Sequence, residues 1–169
     1  MKRALITLAI IFASISALMA ADQISTSQSG MVIAPPAAIW ALLADVNHWA
    51  DWCPAVEKAQ IVKGDGQTPN SQVKFRPVIG GKKTPTAIKL VLSKSEPNRL
   101  LEYRGGPAGM DITLGWKIEE KDGGSEFTSY ETISGPGVKL FLKLYGQSGL
   151  DQEHRAWVEA ARKKLESGK

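Results

Sequence analysis

Residues 134–167 read SGPG-VKLFLKLYGQSGLDQEHRAWVEAARKKLES, a turn followed by a long striped segment. Ser134-Gly135-Pro136-Gly137 ends whatever precedes it, and from Val138 to about Ser167 the pattern is helical. Placed at about 100° per residue, Leu140, Leu144, Leu150, Trp157, Val158, Ala161 and Leu165 fall within an arc of roughly 140°, the width of a core-facing stripe. Gly146 and Gly149 interrupt the pattern. Each weakens a helix by roughly 1 kcal/mol relative to alanine, and the pair predicts a kink or a close approach to another backbone.

A striped helix needs a surface to cover, and the residues before it supply one. From Val56 to Ile133 short β-like runs are separated by turn residues: Gly64-Asp65-Gly66, Gly80-Gly81-Lys82, Glu96-Pro97-Asn98, Gly105 to Gly109 and Asp122-Gly123-Gly124. The runs are Val56 to Val62, Gln72 to Val78, Thr86 to Ser93, Arg99 to Arg104, Ile112 to Glu119 and Ser125 to Ile133. Ile112, Leu114, Trp116 and Ile118 oppose Thr113, Gly115 and Lys117, and Val73 and Phe75 oppose Lys74 and Arg76, so one face is apolar. An antiparallel meander with one apolar face requires a cover, and the C-terminal stretch is the segment long enough to give it. Upstream, Gln23 to Ile33 reads as a first strand that stops at Pro35-Pro36. Ile39, Trp40, Leu42, Leu43 and Val46 then make a short amphipathic helix, and a second helical turn, Asn47 to Trp52, closes at Pro54. The expected fold is α+β: a seven-stranded curved antiparallel sheet, two short helices and a long C-terminal helix.

The N-terminus has the layout of an export signal. Lys2 and Arg3 precede an apolar run from Ala4 to Leu18, and Met19-Ala20-Ala21-Asp22 offers small residues for cleavage after Ala20 or Ala21. The competing reading, a retained membrane anchor, meets a run shorter than the ~20 apolar residues a span requires. Residues 1–21 are thus read as a signal peptide and 22–169 as one domain, placed in the periplasm or outside the cell. Lys2 and Arg3 carry two of the four formal net positive charges away with the signal, so the mature chain is too mildly basic to imply nucleic acid. One cysteine, Cys53, excludes an internal disulfide, and two distant histidines without a ligand motif give no metal site and no cofactor.

The segment Val32-Ile33-Ala34-Pro35-Pro36-Ala37-Ala38-Ile39-Trp40-Ala41-Leu42-Leu43-Ala44-Asp45-Val46, followed by Trp49, Trp52 and Pro54, resembles the START-like SRPBCC superfamily, which includes the polyketide cyclase/dehydrase and lipid-transport proteins. Thr132-Ile133-Ser134-Gly135-Pro136-Gly137 and Gly149-Leu150-Asp151-Gln152-Glu153-His154-Arg155 look like its last strand and closing helix. The resemblance covers essentially the whole mature chain and implies a helix-grip fold enclosing a cavity for a hydrophobic small molecule such as a lipid, quinone, polyketide or aromatic compound. It speaks to fold more than to function, because the superfamily shares a cavity and little chemistry.

Candidate ligand contacts follow from the apolar faces: Phe75, Leu90, Trp116 and Phe127 on the strands, Leu144 on the helix and Trp52 near the mouth. The same helical arithmetic turns Gln147, Asp151 and His154 toward the sheet, while Glu131 and Tyr103 share strand faces with apolar residues. His154, Glu131 and Tyr103 form a set capable of proton transfer if their tips converge, and are otherwise hydrogen-bond partners for a ligand. The bland alternative rotates the helix so that Gln147, Asp151 and His154 lie at its border. Three functions stand: an exported carrier of a hydrophobic small molecule, touching membranes only to exchange ligand; a cyclase/dehydratase-type enzyme; and an interaction module with a filled core. Oligomeric state is left open.

Overall fold

A computed structural model describes residues 22–167, so the signal-peptide reading of residues 1–21 lies outside the described residues. Strand β1 (Gln23–Val32) leads into α1 (Pro36–Ala44), a 3-10 turn (Val46–His48) and α2 (Trp49–Trp52). Then come β2 (Val56–Lys63), β3 (Gln72–Ile79), a two-residue β4 (Lys82–Lys83), β5 (Ile88–Glu96), β6 (Leu100–Gly105), β7 (Asp111–Lys121), β8 (Gly124–Ser134) and α3 (Val138–Glu166). The seven expected strands form one antiparallel sheet in the order β1-β8-β7-β6-β5-β3-β2, with β4 paired to β3 beside them. The first strand pairs the last, Gln23 opposite Ser134, which closes the meander into a curved half-barrel around α3.

The two glycines of the closing helix do both things expected of them. Gly146 has φ 70° and ψ 164°, outside helical geometry, and breaks α3 into two segments. A Cβ built on Gly80, itself at φ +56°, would stand 3.0 Å from the Gly149 backbone, so the second segment touches the β3–β4 turn main chain to main chain. The break corrects the single-stripe reading. Leu140 and Leu144 were expected inside, yet they are 60% and 50% exposed. Val138 and Phe141 are buried in their place, because the segment before Gly146 is out of phase with the one after it. Beyond the break Leu150, Trp157, Val158 and Ala161 are buried as the periodicity predicts.

One end of the half-barrel is solid aromatic packing. Trp49 is fully buried, donates its indole N–H to the Leu43 carbonyl at 2.9 Å, and stands edge-on to Phe75, Tyr103, Trp116 and Trp157 with ring centroids 5.1–6.0 Å away. Trp116 and Trp157 lie 4.8 Å apart, and Trp52 adds a further edge against Trp157 at 5.4 Å. Such contacts add about 0.5–1.5 kcal/mol per pair beyond the area they bury, so this end carries much of the stability.

Candidate functional site

The aromatic plug confines the internal space to the other end, where a cavity of about 300 Å³ lies between β3, the 84–88 segment, the 107–112 segment and the first part of α3. Its wall is mainly aliphatic and aromatic: Phe75, Ile79, Ile112, Ile133 and Phe141 are typical. Two carboxylates, Glu131 and Glu153, form its polar floor. A wider depression of about 760 Å³ runs over α2 and the last turns of α3 past Trp52, Cys53, Arg162 and Lys163, but it is a surface groove. Burial pushes the Cys53 thiol far above its ordinary range, which leaves it no nucleophile near neutral pH.

The floor is built by β8 and α3. Alternation along β8 turns Ser125, Phe127, Ser129, Glu131 and Ile133 inward, so three polar residues enter the interior. Ser125 is satisfied by donating to the Ala34 carbonyl at 2.8 Å. Ser129 and Glu131 instead meet the fully buried His154 from above: Nδ1 lies 2.8 Å from Ser129 Oγ, and Nε2 lies 3.0 Å from Glu131 Oε2. Beside them Glu153 is 3% exposed, and its Oε2 is buried without any hydrogen-bond partner. Burial first, and the Glu131 carboxylate second, push the Glu153 pKa well above the usual carboxylate range. One ligating atom from each of Glu131, Glu153 and His154 falls within 4.8 Å of the others, so among the described residues these three could hold a metal ion.

Glu131 and His154 are in direct contact, and Glu131, Phe75 and Leu144 line the cavity. Tyr103 does not join them. It stands two strands from Glu131 along one cross-strand row, roughly 10 Å, and its hydroxyl donates to the Gly66 carbonyl at 3.1 Å. Gln147 and Asp151 sit at the helix border: Gln147 Nε2 donates to the Ser25 carbonyl and to Asp151, and Thr26 Oγ1 donates to Asp151 at 2.7 Å. Those bonds staple α3 to β1 and hold the Asp151 carboxyl below its usual range. Leu90, Trp116 and Phe127 are fully buried core residues away from the cavity wall, and Trp52 packs beside the outer groove. Sequence reasoning missed Ser129 and Glu153. Ser129 was readable from the alternation that placed Phe127 and Glu131; Glu153 was readable only from the spacing to Trp157 in the segment after the break.

The family model described as "Polyketide cyclase / dehydrase and lipid transport" matches residues 23–166. No curated protein matches by sequence. Among solved structures the chain is similar to norcoclaurine synthase from Thalictrum flavum (17% identity, TM-score 0.67, covering 88% of this chain and 97% of that one). It is also similar to a Streptomyces aromatase/cyclase (16%, 0.66, 87% and 98%) and to Ara h 8.0201 (20%, 0.64, 86% and 99%). At such identities these likenesses concern the fold.

Proposed function

Since the chain belongs to the polyketide cyclase/dehydrase and lipid transport family, within the START-like SRPBCC superfamily, we propose that it is an exported protein that holds a compact hydrophobic small molecule in the cavity above Glu131 and Glu153. The observation that carries this reading is an internal space walled mainly by apolar side chains, with the carboxylates Glu131 and Glu153 gathered together and Thr84, Thr86 and Tyr145 as its other polar lining. Burial of an apolar ligand supplies the affinity, and the polar floor fixes which end points inward. At about 300 Å³ the space suits a ligand at the small end of the usual range, such as a single aromatic ring system, better than a long-chain lipid. Residues 1–21 act in this proposal as the signal peptide, which intact-mass measurement of the periplasmic fraction tests: the mature chain is expected to begin at Ala21 or Asp22.

Titration with a panel of small aromatic and isoprenoid compounds, followed by native mass spectrometry, tests the ligand. Leu144 is half-exposed and lines the cavity, so Leu144→Trp is expected to fill the entrance without disturbing the core and to weaken binding at least ~10-fold. A wild-type cavity indifferent to the whole panel and empty on purification would defeat the proposal.

A second reading, an enzyme of the cyclase/dehydratase kind, is favoured by one observation: a carboxyl group whose pKa burial raises well above the usual carboxylate range, beside an imidazole–carboxylate pair at the cavity floor. Glu153 would give a proton and Glu131 or His154 take one, with Tyr103 uninvolved. Solvent deuterium appearing in a bound ligand, and lost in Glu131→Gln, is the sign that separates this reading from simple carriage.

A further inference from the structure

We propose that Glu131, Glu153 and His154 bind one divalent first-row transition-metal ion at the cavity floor, with a coordination position open to the cavity. The three donors come from two elements held rigidly together, β8 and α3, and their ligating atoms already lie within 4.8 Å of one another. Around an ion with bonds of about 2.0–2.2 Å such atoms sit about 3–3.5 Å apart, a contraction that side-chain rotation provides.

Three features point to a cation. Glu153 Oε2 is buried with no donor near it, and the cluster offers one imidazole for two carboxylates, so the protein itself holds no partner for it. An unpartnered buried carboxyl is costly in its charged form, and a divalent cation that takes the place of its proton satisfies that charge, the proton being released to solvent. Two carboxylates and a neutral imidazole are matched in charge by a divalent ion. The surroundings also orient the histidine: Nδ1 lies 2.8 Å from Ser129 Oγ and Nε2 3.0 Å from Glu131 Oε2, so with a cation in place of the proton between Nε2 and Glu131, Nδ1–H would donate to Ser129, the outer-shell arrangement typical of a metal-bound imidazole.

The donor set selects the class of ion. A nitrogen ligand disfavours calcium and magnesium, and the absence of thiolate among these three leaves zinc, manganese, iron, cobalt or nickel. Three protein ligands with two of them on the cavity wall leave the remaining position facing the internal space, as in sites where a metal meets a small molecule. Nothing in the sequence announces the set, since Glu131 is distant in the chain and Glu153-His154 are adjacent.

The site does not depend on which molecule fills the cavity, so its test uses metal alone. The chain is purified, stripped with chelator and titrated with Co2+, then competed with Zn2+. Visible d–d absorption is expected to saturate at one equivalent, and excess Zn2+ to raise the Tm by about 5 °C or more. Glu153→Gln, nearly isosteric, is expected to weaken Co2+ binding at least ~10-fold, and Ser129→Ala ~10-fold through loss of the bond that orients His154. His48→Ala removes the other histidine, an exposed one paired with Asp45, and is expected to change nothing. Near-UV circular dichroism of the buried tryptophans verifies that each variant is folded. Wild-type protein without absorption or Tm shift at millimolar Co2+ and Zn2+ overturns the proposal, as does undiminished binding by folded Glu153→Gln or binding lost in His48→Ala.

Discussion

Glu102 and Glu153 are removed from solvent to almost the same degree, 4% and 3% exposed, and their surroundings are opposite. Glu102 projects from β6 to the outer face of the sheet, where Ser93 Oγ, Lys94 Nζ and Tyr130 Oη donate to it at 3.0, 3.3 and 2.9 Å and Arg104 stands 3.4 Å away. Tyr130 reaches it by laying its ring over Gly115; a Cβ there would meet the ring at 2.4 Å, so the glycine belongs to the network. Burial alone raises the Glu102 pKa, but the Tyr130, Ser93 and Lys94 donors outweigh it and the net shift is downward. Glu153 lies deeper in the interior, its Oε2 meets no donor, and its pKa goes the other way. A buried carboxylate that the fold satisfies is architecture, whereas one that the fold leaves unpaired beside a cavity is a place for something from outside.

The largest effect expected from breaking this contrast is at the satisfied end. Glu102→Ala strands the Tyr130 hydroxyl and two cationic side chains, and is expected to cost about 2–3 kcal/mol in urea unfolding at pH 7. Lys94 and Arg104 are more than half exposed, so most of that loss belongs to Tyr130 and Ser93. At the unsatisfied end the sign reverses. In chelator, Glu153→Leu replaces an unpaired buried carboxylate with an apolar side chain of similar volume, and is expected to stabilise the protein by about 1–2 kcal/mol while abolishing metal binding. Destabilisation by both substitutions would mean that Glu153 has a structural partner after all, and the contrast would fail.

The same two residues show what was legible in the sequence. Period-two alternation places every inward residue of β7 and β8, and Glu131 was found that way, because strand faces depend on local spacing that turns at either end cannot disturb. His154 was found by helical arithmetic carried through Gly146, and it lies inside. The same arithmetic put Leu140 and Leu144 inside, because a positive-φ glycine resets the phase of everything before it; including those two leucines pulled the single stripe away from Glu153, which is in phase with Trp157 after the break. The position of the cavity was hidden for a different reason. Five tryptophans imply aromatic packing, but only tertiary contacts gather Trp49, Trp116 and Trp157 into one cluster that fills one end and leaves space at the other. Residues such as Leu90 and Phe127, read as cavity lining from their faces, are consequently core.

The smallest effect sharpens the contrast most, because it removes one hydroxyl and carries a pH signature. Tyr130→Phe keeps the ring on Gly115 and deletes the bond to Glu102, for an expected loss of about 1 kcal/mol at pH 7. Glu102 has a folded-state pKa below the ordinary carboxylate value of 4.5, so the stability it supplies is present above that value and is lost as pH falls through the depressed one. The gap between wild type and Tyr130→Phe should therefore hold from pH 7 down to about 5 and narrow below pH 4.5, as protonation removes the charge that the hydroxyl was serving. Urea midpoints across that range measure it. A gap that stays constant down to pH 3 would show that Tyr130 acts through ring packing alone, and the satisfied carboxylate would lose its role in the comparison.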